Sequence, residues 1–393
     1  MKKPELLSPV QDFVSLRAAI DAGADAVYFG LKKFSMRAKA KNFELKELKE
    51  VVNICHKEKI KAYLTLNTII YENELEELKQ ILKSAKQAKI DAVHAWDMAV
   101  VREAKKLNIP VHLSTQASVS NSESALFYKN LGIKRIILAR ECSLDQIKDI
   151  KNKAKIEIET FVHGAMCVAV SGRCFTSQFL FKKSANRGEC LQPCRRKYFI
   201  EDVEEHHRLQ INGDESGSYV MSPKDLCTLP FIDKLIKSGI DSFKIEGRNR
   251  SPEYVKEVTE AYRAAIDNGY TPKLLEKVKN VYNRGFCSGF YLGLPTNDDW
   301  TDVYGSKAQK KKIYIGKIIH FYPKIKVAEL KVESNGLSVG DKIMIQGSST
   351  GIFEQILNSM EVNHKRILNI NKGLVAIKLN NLVRKKDKVF VVK

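Results

Sequence analysis

The sequence lacks what a membrane-spanning or exported protein needs. No run approaches the ~20 consecutive apolar residues of a transmembrane helix. The opening MKKPELLSPVQDF has too short an apolar stretch for a secretory leader. The expectation is a protein of the reducing cytoplasm with no membrane partner, where clustered thiols bind metal or do chemistry more often than they form disulfides. Several signature loops are missing as well. No GxGxxG or P-loop follows the first strand-like run, and neither HExxH nor GxSxG occurs. Acidic residues are in deficit, with 46 Asp and Glu against 66 Lys and Arg, for a net charge of +20. Such an excess attracts polyanions, nucleic acid first.

What is present is repetition. Eight short apolar runs recur: ELLSPV, DAVYFG, KAYLTLN, DAVHAWD, VHLSTQA, RIILARE, IETFVHG and DSFKIEGR. Lead-ins such as DAGADAVYFG and KSGIDSFKIE read as a helix end, a turn, and a strand buried on both faces. The intervening stretches place Leu, Ile and Val at helical intervals. Strands alternating with helices imply parallel βα units, and eight of them predict a closed (β/α)8 barrel. A doubly wound open sheet is the alternative, and it would have to do without a phosphate-binding loop. The barrel is expected over residues 1–300, with a Cys-rich insertion at 165–222 and trailing helices.

From Ser306 the pattern turns β-like, with runs such as KIYIGKIIHFY, GDKIMIQG and KVFVV. A small all-β barrel is expected over 306–393. This segment holds 18 Lys and Arg against 6 Asp and Glu, which is more than half of the chain's excess charge. An appended basic β-domain beside an enzyme-like barrel suits RNA binding.

In such a barrel the strand C-termini and the loops after them build the active site. Those positions hold Asn67, Asp97, Gln116, Arg140, Glu141, His163, Lys244, Glu246 and Arg248, and Arg37 joins them from the loop after the second strand. Arg37, Arg140 and Arg248 suit a carboxylate or phosphate ligand, because a guanidinium fork matches either group bidentately.

Half of the eight cysteines fall within 28 residues, at Cys167, Cys174, Cys190 and Cys194. Structural zinc usually closes on two close pairs such as CxxC, and these spacings have no such pairing. An iron–sulfur cube tolerates irregular spacing because its ligands come from separate loops. Both metals stay open on spacing alone. Cys227, in SPKDLC, is a fifth candidate, an alternative to Cys194 as fourth ligand, while Cys55, Cys142 and Cys287 read as small buried hydrophobes.

The stretch ETFVHGAMCVAVSGRCFTS resembles the signature of the U32 peptidase-like family, departing at Thr176, where the family prefers an aliphatic residue. The resemblance continues through NRGECLQPCRRKY, SPKDLCTLPFIDKLIKSGIDSFKIEGRNRSPEYVKEVTEAYR, LLSPVQDFVSLRAAIDAGADAVYFG and FSMRAKAKNF, segments that together span about 260 residues. It implies a 4Fe-4S cluster on Cys167, Cys174 and Cys190, with Cys194 or Cys227 as the fourth ligand. It further implies oxygen-independent hydroxylation with prephenate as co-substrate. One branch acts on the tRNA wobble uridine, one on a ribosomal RNA cytidine, and one pair in ubiquinone synthesis. A barrel followed by one short basic β-domain looks like the tRNA branch, with tRNA as partner. The paired branch makes a paralogous partner subunit a further expectation. The family's older label of collagenase-like peptidase gives the competing function, for which a dyad of Cys167 and His163 is the candidate.

Overall fold

A computed structural model describes residues 3–198, 200–201, 208–209, 222–301, 303 and 305–393. Eight parallel strands form one closed ring: β1 (Glu5–Pro9), β2 (Ala26–Gly30), β3 (Lys61–Thr65), β4 (Ala92–Ala95), β5 (Val111–Leu113), β6 (Arg135–Ile137), β7 (Glu157–Ala165) and β8 (Ser242–Ile245). Each pairs with the next, and β8 pairs with both β7 and β1, which closes the barrel. The eight apolar runs of the sequence are these eight strands.

The helices between them start where the sequence offers a cap. Asp12 caps α1 (Phe13–Asp21) by accepting from Ser15 N at 2.8 Å. Ser143 and Gln146 form a capping box at α6 (Leu144–Ala154). Helices α2 (Leu48–Lys57), α3 (Leu75–Gln87) and α4 (Met98–Lys106) bury one apolar stripe each, for instance Leu78, Ile81, Leu82 and Ala85 in α3, whereas α5 (Ser122–Asn130) buries only Ala125. One apolar core lies between strands and helices. The barrel's interior is different, because a polar layer crosses it.

After β7 the chain enters the thiol-rich insertion, which contains α7 (Thr176–Phe181). It returns through a short strand, Asp225–Cys227, antiparallel to β7 with Cys227 opposite His163. Then come α8 (Ile232–Lys237), β8, and the trailing helices α9 (Pro252–Asn268) and α10 (Pro272–Lys279).

The C-terminal segment is a separate antiparallel sheet of eight strands: β9 (Lys312–Tyr322), β10 (Val327–Val332), β11 (Lys342–Gly347), β12 (Gly351–Ile356), β13 (Met360–Val362), β14 (Lys365–Ile367), β15 (Gly373–Lys378) and β16 (Lys388–Val392). It wraps its own core of Ile315, Leu330, Ile343, Val375 and Val389. Gln355 on β12 reaches Lys378 O (3.0 Å) and Asn380 N (2.9 Å) at the end of β15, which curls the sheet toward closure. The sheet docks on the barrel through Met344, Ile352 and Phe390 against Ala18 of α1. Polar contacts add Lys312 to Glu253 (2.7 Å) and Gln346 to Glu253 (2.9 Å). Gly351 opens β12 beside Arg17 and Asp21 of α1 with φ +70°, a backbone conformation that favours glycine.

Candidate active site at the thiol-lined mouth

A cavity opens at the C-terminal ends of the strands. Its walls include Arg37, Asn67, Gln116, Arg140, Glu141, Lys244, Glu246 and Arg248, together with Cys167, Cys174, Cys190 and Cys194. Residues from across the sequence therefore meet in one place, and all four clustered thiols face it.

Its floor is the polar layer. Glu159 takes Lys244 Nζ at 2.8 Å on one oxygen and Arg135 Nη1 at 3.2 Å on the other, and Arg135 also meets Glu5 at 2.6 Å. Lys244 Nζ lies 3.0 Å from His94 Nδ1 and 4.4 Å from the centre of the Tyr28 ring. All of these groups are buried except Glu5, which is partly exposed at the strand's start. Burial pushes the lysine down, while burial and the nearby Lys244 keep His94 uncharged. His94, His112 and Glu159 hold ligand atoms within 4.8 Å of one another, but both carboxylate oxygens already serve cations. Lys244 and Arg135 supply the positive charge that a metal would bring.

Above the floor, Arg37 Nη2 binds Glu246 Oε1 at 2.8 Å. Burial raises the Glu246 carboxyl, but Arg37, Arg250 and Arg140 outweigh it and hold it at about 2. Arg248 is buried and tethered to Ser35 Oγ (2.6 Å) and Thr65 Oγ1 (2.9 Å) without a carboxylate partner among the described residues. Burial lowers its pKa to about 10, so it stays cationic at neutral pH. Arg140 stacks 4.0 Å from the centre of Phe161 and donates to Ala165 O at 3.2 Å, also with no carboxylate. Two guanidinium groups that make no direct ion pair among the described residues thus face one cavity, with Glu246 as the nearby acid, an arrangement suited to an anion.

Because the folded pKa of Glu246 lies below its unfolded value near 4.5, the pair adds stability above that pH and loses it as pH falls toward 2. Glu246→Gln removes that dependence. The stability difference between wild type and variant should shrink by about 3 kcal/mol between pH 6 and pH 2, read from urea midpoints.

The insertion is clamped to the rim by arginines, which explains their density among the thiols. Arg173 donates to Gln116 O (Nε, 3.1 Å), and Arg187 holds Glu74 (Nη1 to Oε2, 3.0 Å) and Ile69 O. Arg195 reaches Met166 O and Ser222 Oγ (3.3 Å). Gly188 packs against the β2 loop where a Cβ would lie 2.4 Å from Ser35 O.

The sulfurs accept bonds suited to thiolates. Cys174 Sγ receives Thr176 N at 3.4 Å with Thr176 Oγ1 at 3.1 Å, and Cys190 Sγ receives Gln192 N at 3.4 Å. Tetrahedral zinc at ~2.3 Å per bond would draw four sulfurs to about 3.8 Å from one another. Among the described residues, no three of these thiols have sulfurs within 4.8 Å of one another. Four thiols from separate stretches of the insertion around one cavity are a donor set of the kind an iron–sulfur cube takes.

Three expected site residues are placed elsewhere. His163 is buried behind the wall, ringed by Tyr254, Tyr262 and Phe286, and burial takes its pKa to about 3. The cause is a register shift where β7 meets β8: Lys244 faces Phe161 and Ile245 faces His163, so one extra residue turns the histidine outward. It is not available to the cavity, and a dyad with Cys167 is not formed. Cys227 is buried on that same outer side, 3.9 Å from Tyr262 OH, with burial raising its thiol to about 12. Asp97 caps α4 through Ala99 N (2.9 Å) and accepts Ile70 N (3.0 Å), a structural duty. Conversely, Tyr28, Thr65 and His94 line the cavity although sequence reasoning passed over them. For His94 the signal was present: it alternates with the outward Val93 in DAVHAWD.

The barrel and its thiol-lined mouth define a (β/α)8 protein built around a site at the strand C-termini. The model of peptidase family U32 matches residues 11–301, and the chain belongs to that family. It is 44% identical to an uncharacterized protease of Methanocaldococcus jannaschii, over 99% of this chain and 98% of that one. It is 39% identical to a collagenase of Porphyromonas gingivalis, over 98% and 97%. With tRNA hydroxylation protein P1 of Bacillus subtilis it shares 34% identity over 91% of this chain and 87% of the other. No helix among the described residues is long and apolar enough to cross a membrane.

Proposed function

We propose that this protein hydroxylates the wobble uridine of tRNA without molecular oxygen. A 4Fe-4S cluster would be held by Cys167, Cys174, Cys190 and Cys194, and a dicarboxylate such as prephenate would be the co-substrate. The observation that carries the reading is the convergence on one cavity of four thiols and two arginines without a direct ion pair among the described residues. The similarity to a tRNA hydroxylation protein along nearly the whole chain points the same way.

Within the site, Arg140 and Arg248 would take the two carboxylates. Glu246 holds Arg37 in place and cancels its charge. Lys244, kept between Glu159 and His94, offers a donor hydrogen at the floor. The cluster, when bound, would supply electron transfer and Lewis acidity beside the target base. The uridine must leave its stack to enter a concave site, and the basic C-terminal domain would grip the surrounding RNA.

The names of two relatives favour proteolysis as a second reading. It loses its proposed dyad, because His163 faces away from Cys167. Mass analysis of nucleosides from a strain lacking the gene separates the readings. Loss of 5-hydroxyuridine-derived nucleosides from tRNA is expected. Unchanged tRNA would refute the assignment, and loss of 5-hydroxycytidine from ribosomal RNA would move the substrate to the ribosome.

A further inference from the structure

The rim of the mouth carries an apolar surface that the cavity chemistry does not use. Val168, Val170, Phe175, Phe179 and Leu180 are all exposed, with Phe175 at 71% and Phe179 at 86%. Phe179 N donates to Phe175 O at 2.8 Å, so the two rings lie one turn apart on one side of α7. Thr176 and Ser177 of the same helix turn inward and line the cavity. Ser177 Oγ accepts from Leu191 N at 2.8 Å, which fixes the helix to the loop bearing Cys190. The rings therefore stand beside the thiols, outside the cavity.

Cations frame them. Arg196 lies 4.6 Å from the centre of Phe181 and makes no ion pair among the described residues. Lys182, at the end of α7, is exposed and likewise without an acidic partner there. Across the mouth, Arg187 covers the half-exposed ring of Tyr71 at 4.7 Å, and Arg173 covers Trp96 at 5.3 Å.

Large aromatic rings left in water beside a cavity mark a contact surface. A protein partner's apolar patch would meet Lys182 and Arg196, which make no ion pair among the described residues, at a desolvation cost. Unpaired RNA satisfies both features, since each nucleotide brings a flat face and a phosphate. We infer that Phe175 and Phe179 form a stacking ledge for the unpaired bases flanking the target base, with Lys182 and Arg196 on the adjoining phosphates. The inference rests on the RNA-hydroxylation reading and names how that site holds its substrate. A ledge of this kind would keep the neighbours of an extruded base from restacking over the mouth.

The test uses the full-length holoprotein and the double variant Phe175→Ala/Phe179→Ala. Both rings are exposed, so folding and iron content are expected to stay at wild-type values. Binding is measured to a uridine-rich single-stranded oligoribonucleotide and to a blunt RNA duplex. Affinity for the single strand should fall at least about ten-fold, with duplex binding unchanged. In a second variant, Phe179→Trp, the new indole fluorescence should be quenched by the single strand alone. Wild-type affinity in the double variant, or an equal loss on duplex, would overturn the ledge. So would a wild-type dimer that the double variant splits while RNA binding persists, which would assign the surface to a second copy. The hydroxylation reading fails separately, if tRNA nucleosides are unchanged in the deletion strain while this binding difference holds.

Discussion

Cys194→Ser is expected to lose most of its iron and its broad absorbance near ~400 nm when purified without oxygen, while Cys227→Ser keeps both. The family resemblance leaves the fourth ligand open between these two residues, and their surroundings separate them. Cys194 lines the cavity with Cys167, Cys174 and Cys190. Burial raises its thiol, with Arg195 opposing and the three neighbouring cysteines adding to the rise. Cys227 pairs across from His163 on the outer side of β7, packed against Tyr262. Bringing its sulfur to the mouth would require the strand Asp225–Cys227 to leave the sheet. RNA hydroxylation should vanish in Cys194→Ser and persist in Cys227→Ser. Retention of iron by the first and its loss from the second would exchange the two roles.

The largest stability effect is expected in the barrel's interior. Glu159 is fully buried and joins Lys244, Arg135 and, through the latter, Glu5 into one chain of charges. Glu159→Leu conserves most of the volume but leaves Lys244 with His94 as its one hydrogen-bond partner among the described residues and Arg135 leaning on Glu5 and Glu157. Removing one member of such a network exposes the others to an uncompensated low dielectric. The loss should be about 3–5 kcal/mol, seen as a fall in the urea midpoint. Glu159→Leu combined with Lys244→Met should recover a good part of it, because the stranded charge goes too. Equal instability in the single and double variants would show that shape at this position matters and the charge does not. Lys244 lines the cavity floor, so the double variant should be stable yet inactive.

Much of the fold was legible because burial on both faces leaves a plain trace in the chain. VYFG, YLTL and FKIE are short apolar runs preceded by a helix end, and each became a barrel strand. The mouth was legible for the same reason: once the strands are placed, their ends are placed, and Arg37, Asn67, Gln116, Arg140, Glu141, Lys244, Glu246 and Arg248 do line one cavity. His163 escaped because a register irregularity between β7 and β8 changes which side a residue faces, and alternation alone cannot count it. Asp97 misled because a strand-end aspartate is also a good N-cap. The interior network of Glu5, Arg135 and Glu159 was hidden in apolar runs such as RIILARE and IETFVHG. There a charged residue signals only that something of opposite sign faces it, and the partner lies tens to hundreds of residues away.

The most direct measurement is the iron, zinc and acid-labile sulfide content of protein isolated without oxygen. The account predicts about four iron and four sulfide per chain and no stoichiometric zinc. One zinc per chain with no sulfide would contradict it.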